Sequence, residues 1–525
     1  MAISPLAKKD EYDYSKYMSK QTFIKASSIL LILFVASRVL GFVREQVIAA
    51  LLGTSAQSDA FVVAATIPFT FSYILGVSAG NAFLPIYTGR LQDQNRARMA
   101  STVFYFTGAL VSVLTLLGLI FTPRVVDLLA PGFTGEARRL ALLCTRIMLP
   151  STIFLTIGFL AKAALNAHRE FTVPALAPVW QNVIFLVMII PLAKYMGPGL
   201  AWCTLAGALV FYVYNLPAMR RFGIPLRPLV DLKDPDARRV LQLAVPVILT
   251  TLAARGFVFV DRWFGSHLAE GSIAALNFAN RVRELPYGMF TAAVSSVLFP
   301  ALAAAAGRRD MQSLRDRTAM GLRLVALVTY PGSALLMVLA VPVVRLLFER
   351  GAFDASATTA TATALWFYAL SVAAMSANSV LTYTFLSLRD AMLPLWAGLA
   401  GLAVNIGLDY LLVGRMQHAG LALGNTAGFF VTVVFFLVFL PGRLPGFDWR
   451  RQATDQLKII VATLVFALVL RLAGGYAGLF APGLSLAGQL LGMTLAVGAA
   501  GIVYLLVLVL LKVEEVDAIR QRFIK

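Results

Sequence analysis

Charge is scarce in this chain, and histidine and cysteine are scarcer still. Asp, Glu, Lys and Arg make up 14% of the 525 residues, against about a quarter in soluble domains. With 59% hydrophobic residues and a mean hydropathy of +0.79, a water-soluble globule is excluded. The two cysteines, Cys144 and Cys203, both fall in apolar runs and offer neither a disulfide framework nor thiolate metal spacing. The three histidines (His168, His267, His418) stand near the ends of apolar runs, which leaves no hydrolytic constellation. There is no G-x-x-x-x-G-K-[ST] loop and no large soluble domain, so the chain has no ATPase of its own and no enzymatic activity is expected. Residues 1–22 are polar and basic without an apolar core, so no cleavable leader is expected and the first span should act as the insertion signal.

What is present is a series of apolar runs. A spanning helix needs roughly 20 apolar residues, and about fourteen such segments can be counted. The fold class is therefore an all-α polytopic membrane protein. The net charge of +19 could suggest nucleic acid, but its distribution argues against that. If the spans alternate from a cytoplasmic N-terminus, the basic residues gather in the cytoplasmic segments, notably 220–239 and 308–323 and both termini. This asymmetry places both termini in the cytoplasm of a plasma membrane, where anionic headgroups account for the basic loops.

The chain is also duplicated. VVDLLAPGFTGEA from Val125 is echoed by VVRLLFERGAFDASA from Val343. Arg169-Glu170 precedes Pro174 as Arg389-Asp390 precedes Pro394, and Phe83-Leu84-Pro85 matches Leu298-Phe299-Pro300. The offsets are 218, 220 and 215 residues. Each copy holds an even number of spans, six, so the copies run parallel about an axis along the membrane normal, and a substrate site is expected between them near the midplane. The expected divisions are an N-terminal segment (1–24), an N-lobe (25–221), a basic linker (222–239), a C-lobe (240–441), two appended spans (442–511) and a tail (512–525).

Charges at membrane depth cost at least ~2.5–3.5 kcal/mol each and usually face a bundle interior. The first span carries Arg38, Arg44 and Glu45, and Asp59 opens the second. Arg38 and Arg44 are ~9 Å apart along the helix axis, and Arg38 shares a face with Glu45. Asp59 could serve simply as a helix N-cap. Pro68, Gly76 and Gly80 allow the second span to bend, for gating or for packing. The seventh and eighth spans answer with Arg255, Asp261, Arg262, Arg281, Arg283 and Glu284. Facing one another, these spans would form either a cationic cavity or a set of salt bridges locking the halves together. Guanidinium groups bind phosphate bidentately and stay charged, so a cationic cavity implies an anionic, phosphate-bearing substrate. Asn405 and Asp409 share a helical face and, joined by Asp261, form an oxygen set suited to a small hard cation.

An ordered set of motifs resembles the MurJ/MviN family within the multidrug/oligosaccharidyl-lipid/polysaccharide exporter superfamily. The set is SRVLGFVRE (37–45), SDAF (58–61), NAFLP (81–85), TRIMLP (145–150), FANRVRELP (278–286), LFERGAFDA (347–355) and the Leu388-Arg389-Asp390…Pro394 turn. The resemblance covers about residues 25–510. It implies two six-helix lobes and two C-terminal helices lining a lipid-tail groove. It also implies export of lipid II, the undecaprenyl-pyrophosphate-linked peptidoglycan precursor, by alternating access. It implies that Arg38, Arg44 and Arg281 hold pyrophosphate, with Glu45 and Asp59 as orienting or switching acids and Glu284 beside them. It implies a sodium site at Asp261, Asn405 and Asp409, with Thr426 as a looser member, so sodium is the only cofactor expected. Membrane lipids and cell-wall synthesis enzymes are the further partners expected. One departure stands out: PFTFSYILG (68–76) has no charge where many members carry a basic residue, and Ser72 or Tyr73 occupies that place. Arg283 is the residue expected to compensate. Rival readings are a flippase for another polyprenyl-pyrophosphate saccharide, a cation-coupled drug antiporter, and a non-transporting cell-wall scaffold.

Overall fold

The computed structural model describes residues 20–93, 95–224, 230–231, 233–480 and 483–516. Residues 1–19 of the expected N-terminal segment, parts of the basic linker and residues 517–525 of the tail lie outside it. Among the described residues every regular element is helical. The first copy contains α1 (Lys20–Leu52), α2 (Ala56–Ser72), a π-turn (Tyr73–Val77), α3 (Ser78–Gly89), α4 (Arg96–Ile120), α5 (Thr122–Leu129), α6 (Gly135–Met148), α7 (Ser151–Ala167), α8 (Thr172–Leu192), α9 (Met196–Val213) and α10 (Leu216–Arg221). The second contains α11 (Pro235–Gly265), α12 (Ser272–Gly307), α13 (Met311–Val338), α14 (Ala340–Phe348), α15 (Ala355–Ser387) and α16 (Met392–Arg443). The chain ends with α17 (Trp449–Tyr476) and α18 (Leu486–Leu510).

Short polar side chains start many of these helices by accepting orphan backbone N–H groups. Ser55 caps α2, Asp234 caps α11 ahead of Pro235, and Asp310, Asp354, Asp448 and Ser485 cap α13, α15, α17 and α18. Among the described residues eight helical stretches are long and apolar enough to cross a membrane, and two further pairs, α6–α7 and the halves of α11, pass together with bends of 42° and 41°. Two of the eight turn back on themselves: α8–α9 at Met196 (φ 52°) and α16 at Gln417 (φ 50°). With α1 and α12, the arrangement is consistent with the expected fourteen segments.

The duplication is written in the backbone. Left-handed residues recur at matching places in the two copies: Gly53 and Gly271, Arg169 and Arg389, Met196 and Gln417, Gly223 and Gly446. The short helices α5 and α14 correspond in the same way.

Apolar packing differs between the two ends of the bundle. At the end where α1 finishes, one core runs across both copies, from Ile48, Leu52 and Phe61 to Phe348, Phe353 and Leu421, and on to Phe466 and Tyr504 of the appended helices. At the other end the cores are separate. One gathers Phe83, Tyr87 and Leu160 with Val240 of α11; the other gathers Leu298, Phe385 and Phe436. The lobes are thus joined at one end and parted at the other, apart from the first half of α11, which leans on the N-lobe through Thr251 and Ser78 (3.3 Å). Much of α17 and α18 faces outward, with Leu464, Leu468, Leu491 and Leu506 exposed as a lipid-facing surface would be.

Candidate functional site

Between the lobes, just inside the joined end, lies a cavity of about 350 Å³. Its lining carries four arginines (Arg44, Arg255, Arg262, Arg281) and two glutamates (Glu45, Glu284). Arg44 reaches it from α1, held by Asn182 Oδ1 of α8 at 3.2 Å and by Glu45 at 2.9 Å, with the Phe185 ring 5.5 Å from its guanidinium carbon. Arg281 reaches it from α12 of the other lobe, 3.4 Å from the same Glu45 oxygen and 3.6 Å from Glu284. Glu45 therefore bridges one arginine from each copy. The pairs leave donor capacity unspent: Nε of Arg44 is buried without a hydrogen-bond acceptor, and Nε of Arg281 faces Glu45 only at 3.4 Å, without a hydrogen bond. Such N–H groups are what an entering anion would meet.

The joined end is closed by hydrogen bonds between the lobes. Helix α12 has no side-chain cap of its own, because its N-cap residue is Gly271. Asp59 supplies one from the other lobe, accepting from Gly271 N and Ala274 N, both at 2.7 Å. Asp59 is thus not the cap of its own helix, a role that Ser55 fills. Further bonds run from Ala352 N to Ala50 O (2.8 Å), from Gly132 N to Ser266 Oγ (3.0 Å) and from Gln46 Nε2 to Leu347 O (2.8 Å). The bend potential of the second span is realised as the π-turn Tyr73–Val77, where Gly76 packs so closely on α7 that a Cβ would lie 2.9 Å from the Thr156 backbone.

Two predicted binding arginines lie elsewhere. Arg38 is exposed, 5.2 Å from the Phe34 ring and facing Gly288 of α12, and does not line the cavity. Arg283 turns away into the C-lobe, donating to Ser371 Oγ (2.9 Å), Asn425 Oδ1 (3.0 Å) and Asn280, with its guanidinium carbon 4.2 Å from the Tyr368 ring. It therefore does not fill the place of the missing basic residue on the second span. The reason is helical phase: two residues turn the side chain about 200°, so Arg281 and Arg283 point oppositely.

Arg283 instead stands beside the oxygen cluster. Asp261 Oδ2 accepts from Tyr368 Oη (3.1 Å) and Asn425 Nδ2 (3.4 Å), while Asn405 Nδ2 donates to Asp409 Oδ2 (2.9 Å). The charges of Asp261 and Asp409 act on each other. Three buried oxygens, Asp261 Oδ1, Asn405 Oδ1 and Asp409 Oδ1, have no hydrogen-bond donor. Unpartnered buried oxygens of two carboxylates and an amide suit a hard monovalent cation. Among the described residues no group of three or more His, Cys, Asp or Glu side chains could hold a metal ion. The buried Thr426 hydroxyl is turned to Phe367 O (2.9 Å), and it is its neighbour Asn425 that touches Asp261.

Residues that sequence reading missed include Asn182, Tyr368 and Asn425. Asn182 carried a signal, since a Gln-Asn pair interrupts the apolar run of α8. A second apolar groove, also about 350 Å³, lies between α12, α13 and α17 and is lined by Leu285, Pro286, Val328, Pro331 and Phe466. Its α12 wall, Val282, Leu285 and Pro286, flanks Glu284 on the neighbouring face of the helix.

Comparison with known proteins agrees with this layout. The family described as "Lipid II flippase MurJ" matches residues 48–491. The probable lipid II flippase MurJ of Buchnera aphidicola is 28% identical, covering 83% of this chain and 87% of the relative. The lipid II flippase MurJ of Burkholderia cenocepacia is 29% identical, covering 82% and 92%. Among solved structures, a lipid II flippase MurJ in an inward closed conformation superposes with TM-score 0.78 at 22% identity, covering 91% of this chain and 97% of the other. An inward-facing multidrug resistance MATE family transporter of the MOP superfamily superposes with TM-score 0.66 at 18% identity, covering 79% and 94%.

Proposed function

From the premise that the chain belongs to the lipid II flippase MurJ family, we propose that it carries lipid II from the inner to the outer leaflet of a bacterial plasma membrane by alternating access. The observation that carries this reading is the Arg44–Glu45–Arg281 bridge in the cavity between the lobes. A pyrophosphate entering the cavity competes with Glu45 for both guanidiniums and makes bidentate, charge-assisted bonds in their place. The polyprenyl tail then lies in the apolar groove against Leu285 and Phe466, one helix face away. With both termini cytoplasmic, the joined end faces outward and the parted end inward, so the structure is an inward-side state. Asp59 acts as the outer latch, and Glu45 and Glu284 orient the arginines. Arg38, facing the cleft on α1, meets the headgroup before it reaches the cavity.

Asp261, Asn405 and Asp409 would hold a sodium ion, whose positive charge would offset the paired carboxylates. Asn425 and Tyr368 fix the second oxygen of Asp261, and Arg283 joins this cluster to Asn280 on the cavity helix. The drug-antiporter reading is disfavoured because the cavity is lined by arginine rather than by acids or apolar groups alone.

The test is complementation of a bacterium depleted of its own lipid II flippase. The wild type is expected to restore growth, while Arg44→Ala and Arg281→Ala at equal membrane levels are expected to fail. Rescue by both variants would make the arginines structural. Failure of a correctly inserted wild type would move another lipid-linked saccharide to first place.

A further inference from the structure

Each of three of the four cavity arginines has a polar side chain to hold it. Arg44 and Arg281 share Glu45, and Arg281 also faces Glu284. Arg262 is held by Thr66 (3.3 Å) and Asn277 (3.4 Å). Arg255 differs. Among the described residues it makes no ion pair and no hydrogen bond; its partner is the ring of Tyr73, 4.2 Å from the guanidinium carbon.

The depth of Arg255 matches that of the bridged pair. Arg44 lies eight residues before the end of α1, Arg281 nine after the start of α12, and Arg255 ten before the end of α11. At 1.5 Å per residue these are about 12, 14 and 15 Å from the joined end. All three line one cavity. The Tyr73 side of the contact is built as well. The π-turn begins at Tyr73, and the tight seat of Gly76 on Thr156 fixes that turn; such turns recur at functional sites. Stacking occupies the flat face of a guanidinium and leaves its edge of N–H donors free. A half-buried cation with free donors and no acid partner is placed to take an anion from outside as its acceptor.

Resting on the reading of the cavity as a pyrophosphate site, we propose that Arg255 is a third substrate-gripping guanidinium, supplied by α11 and presented on the ring of Tyr73. It fills from the C-lobe the place where the second span has no basic residue. The grip then comes from three helices, α1, α11 and α12, and Tyr73 positions it without touching phosphate itself.

The test is binding of undecaprenyl pyrophosphate to the purified full-length protein in lipid nanodiscs, with phosphatidylglycerol as a control lipid. The wild type is compared with Arg255→Ala, Arg255→Lys, Arg44→Ala and the double variant Arg255→Ala/Tyr73→Arg. Arg255→Ala is expected to weaken pyrophosphate binding at least about tenfold and to leave phosphatidylglycerol binding unchanged. Arg255→Lys is expected to fall between. The double variant returns a guanidinium from the opposite side of the same contact and is expected to recover to within about threefold of wild type, which a merely structural role for Arg255 does not explain. Wild-type binding by Arg255→Ala alongside weakened binding by Arg44→Ala would overturn this inference alone. A double variant as weak as Arg255→Ala would also overturn it. Undiminished binding by both Arg44→Ala and Arg255→Ala would overturn the cavity reading with it. If Arg255→Ala does not fold, Arg255→Gln keeps much of the side chain without the charge and is judged by the same criterion.

Discussion

Asp59→Asn should open the joined end without disturbing the fold. The substitution is nearly isosteric, and the wild-type carboxylate accepts two backbone N–H bonds at 2.7 Å from the uncapped start of α12. An asparagine can present its Oδ1 to only one of these donors, and its Nδ2 must face the other N–H group. A hydrogen bond to a charged group contributes about 1.5–3 kcal/mol, and the abandoned N–H loses its partner. The favourable meeting of a full negative charge with a helix N-terminus is lost as well. Taking about 2 kcal/mol for the sum, and 1.4 kcal/mol per tenfold change, the closed-to-open ratio falls about thirty-fold. The assay is the rate at which a membrane-impermeant maleimide, added outside whole cells, labels a cysteine placed at Ala65 in the cavity wall. Background is low because Cys144 and Cys203 are both buried. Labelling should quicken by an order of magnitude or more in Asp59→Asn. An unchanged rate at equal expression would refute the assignment of Asp59 as the latch.

Gly351→Ala should act on the same end more strongly. Its φ of +60° strains any side chain, and its Cβ would meet the Ala50 carbonyl, 3.2 Å from the carbonyl carbon, only while the lobes are joined; the same maleimide assay reads it. Gly76→Ala places a methyl 2.9 Å from the Thr156 backbone and should cost about 1–3 kcal/mol by overpacking, read as a lowered melting temperature of the purified protein. Asp409→Asn removes a charge from the oxygen cluster and should abolish stabilisation by sodium. In the wild type, replacing choline by sodium should raise the melting temperature, and a rise of the same size in the variant would refute the site.

The fold was legible because it rests on coarse signals. Apolar run lengths mark the spans, and the motifs at Val125 and Val343 mark the repeat that the backbone repeats at Arg169 and Arg389. The site was legible where one helix carries both members of a pair, as with Asn405–Asp409; the shared face of Arg38 and Glu45 misled, because Glu45 pairs with Arg44 and, across the bundle, with Arg281. It was less legible where the partner comes from across the bundle. Nothing in the local sequence joins Asp59 to Ala274, or Arg255 to Tyr73, because these contacts depend on how two lobes close. The placement of Arg283 was within reach of sequence reasoning, since a two-residue step on a helix reverses its direction from Arg281. The π-turn was not, because α2 and α3 are apolar on nearly every face, so the phase shift of an extra residue leaves no mark in the pattern.

The closed end is held together in a way that suits reversal. Among the described residues its inter-lobe polar contacts are few: Asp59 to two N–H groups, Arg262 to Thr66, Ala352 to Ala50, Gly132 to Ser266 and Gln46 to Leu347. At about 0.5–1.5 kcal/mol net for each neutral bond and somewhat more for the charged ones, these sum to several kcal/mol. Carrying a two-state equilibrium from one extreme to the other takes about 5.5 kcal/mol of differential binding. The two quantities are comparable, so an anion with several charge-assisted bonds can drive the switch. The Glu45 bridge gives such an anion a direct means of doing so. It ties Arg44 of one lobe to Arg281 of the other, and on the proposed reading a pyrophosphate that takes both arginines would free Glu45 and replace it as the tie. Binding at the centre would therefore draw the two lobes together around the cavity, which is the first half of a switch away from the parted state.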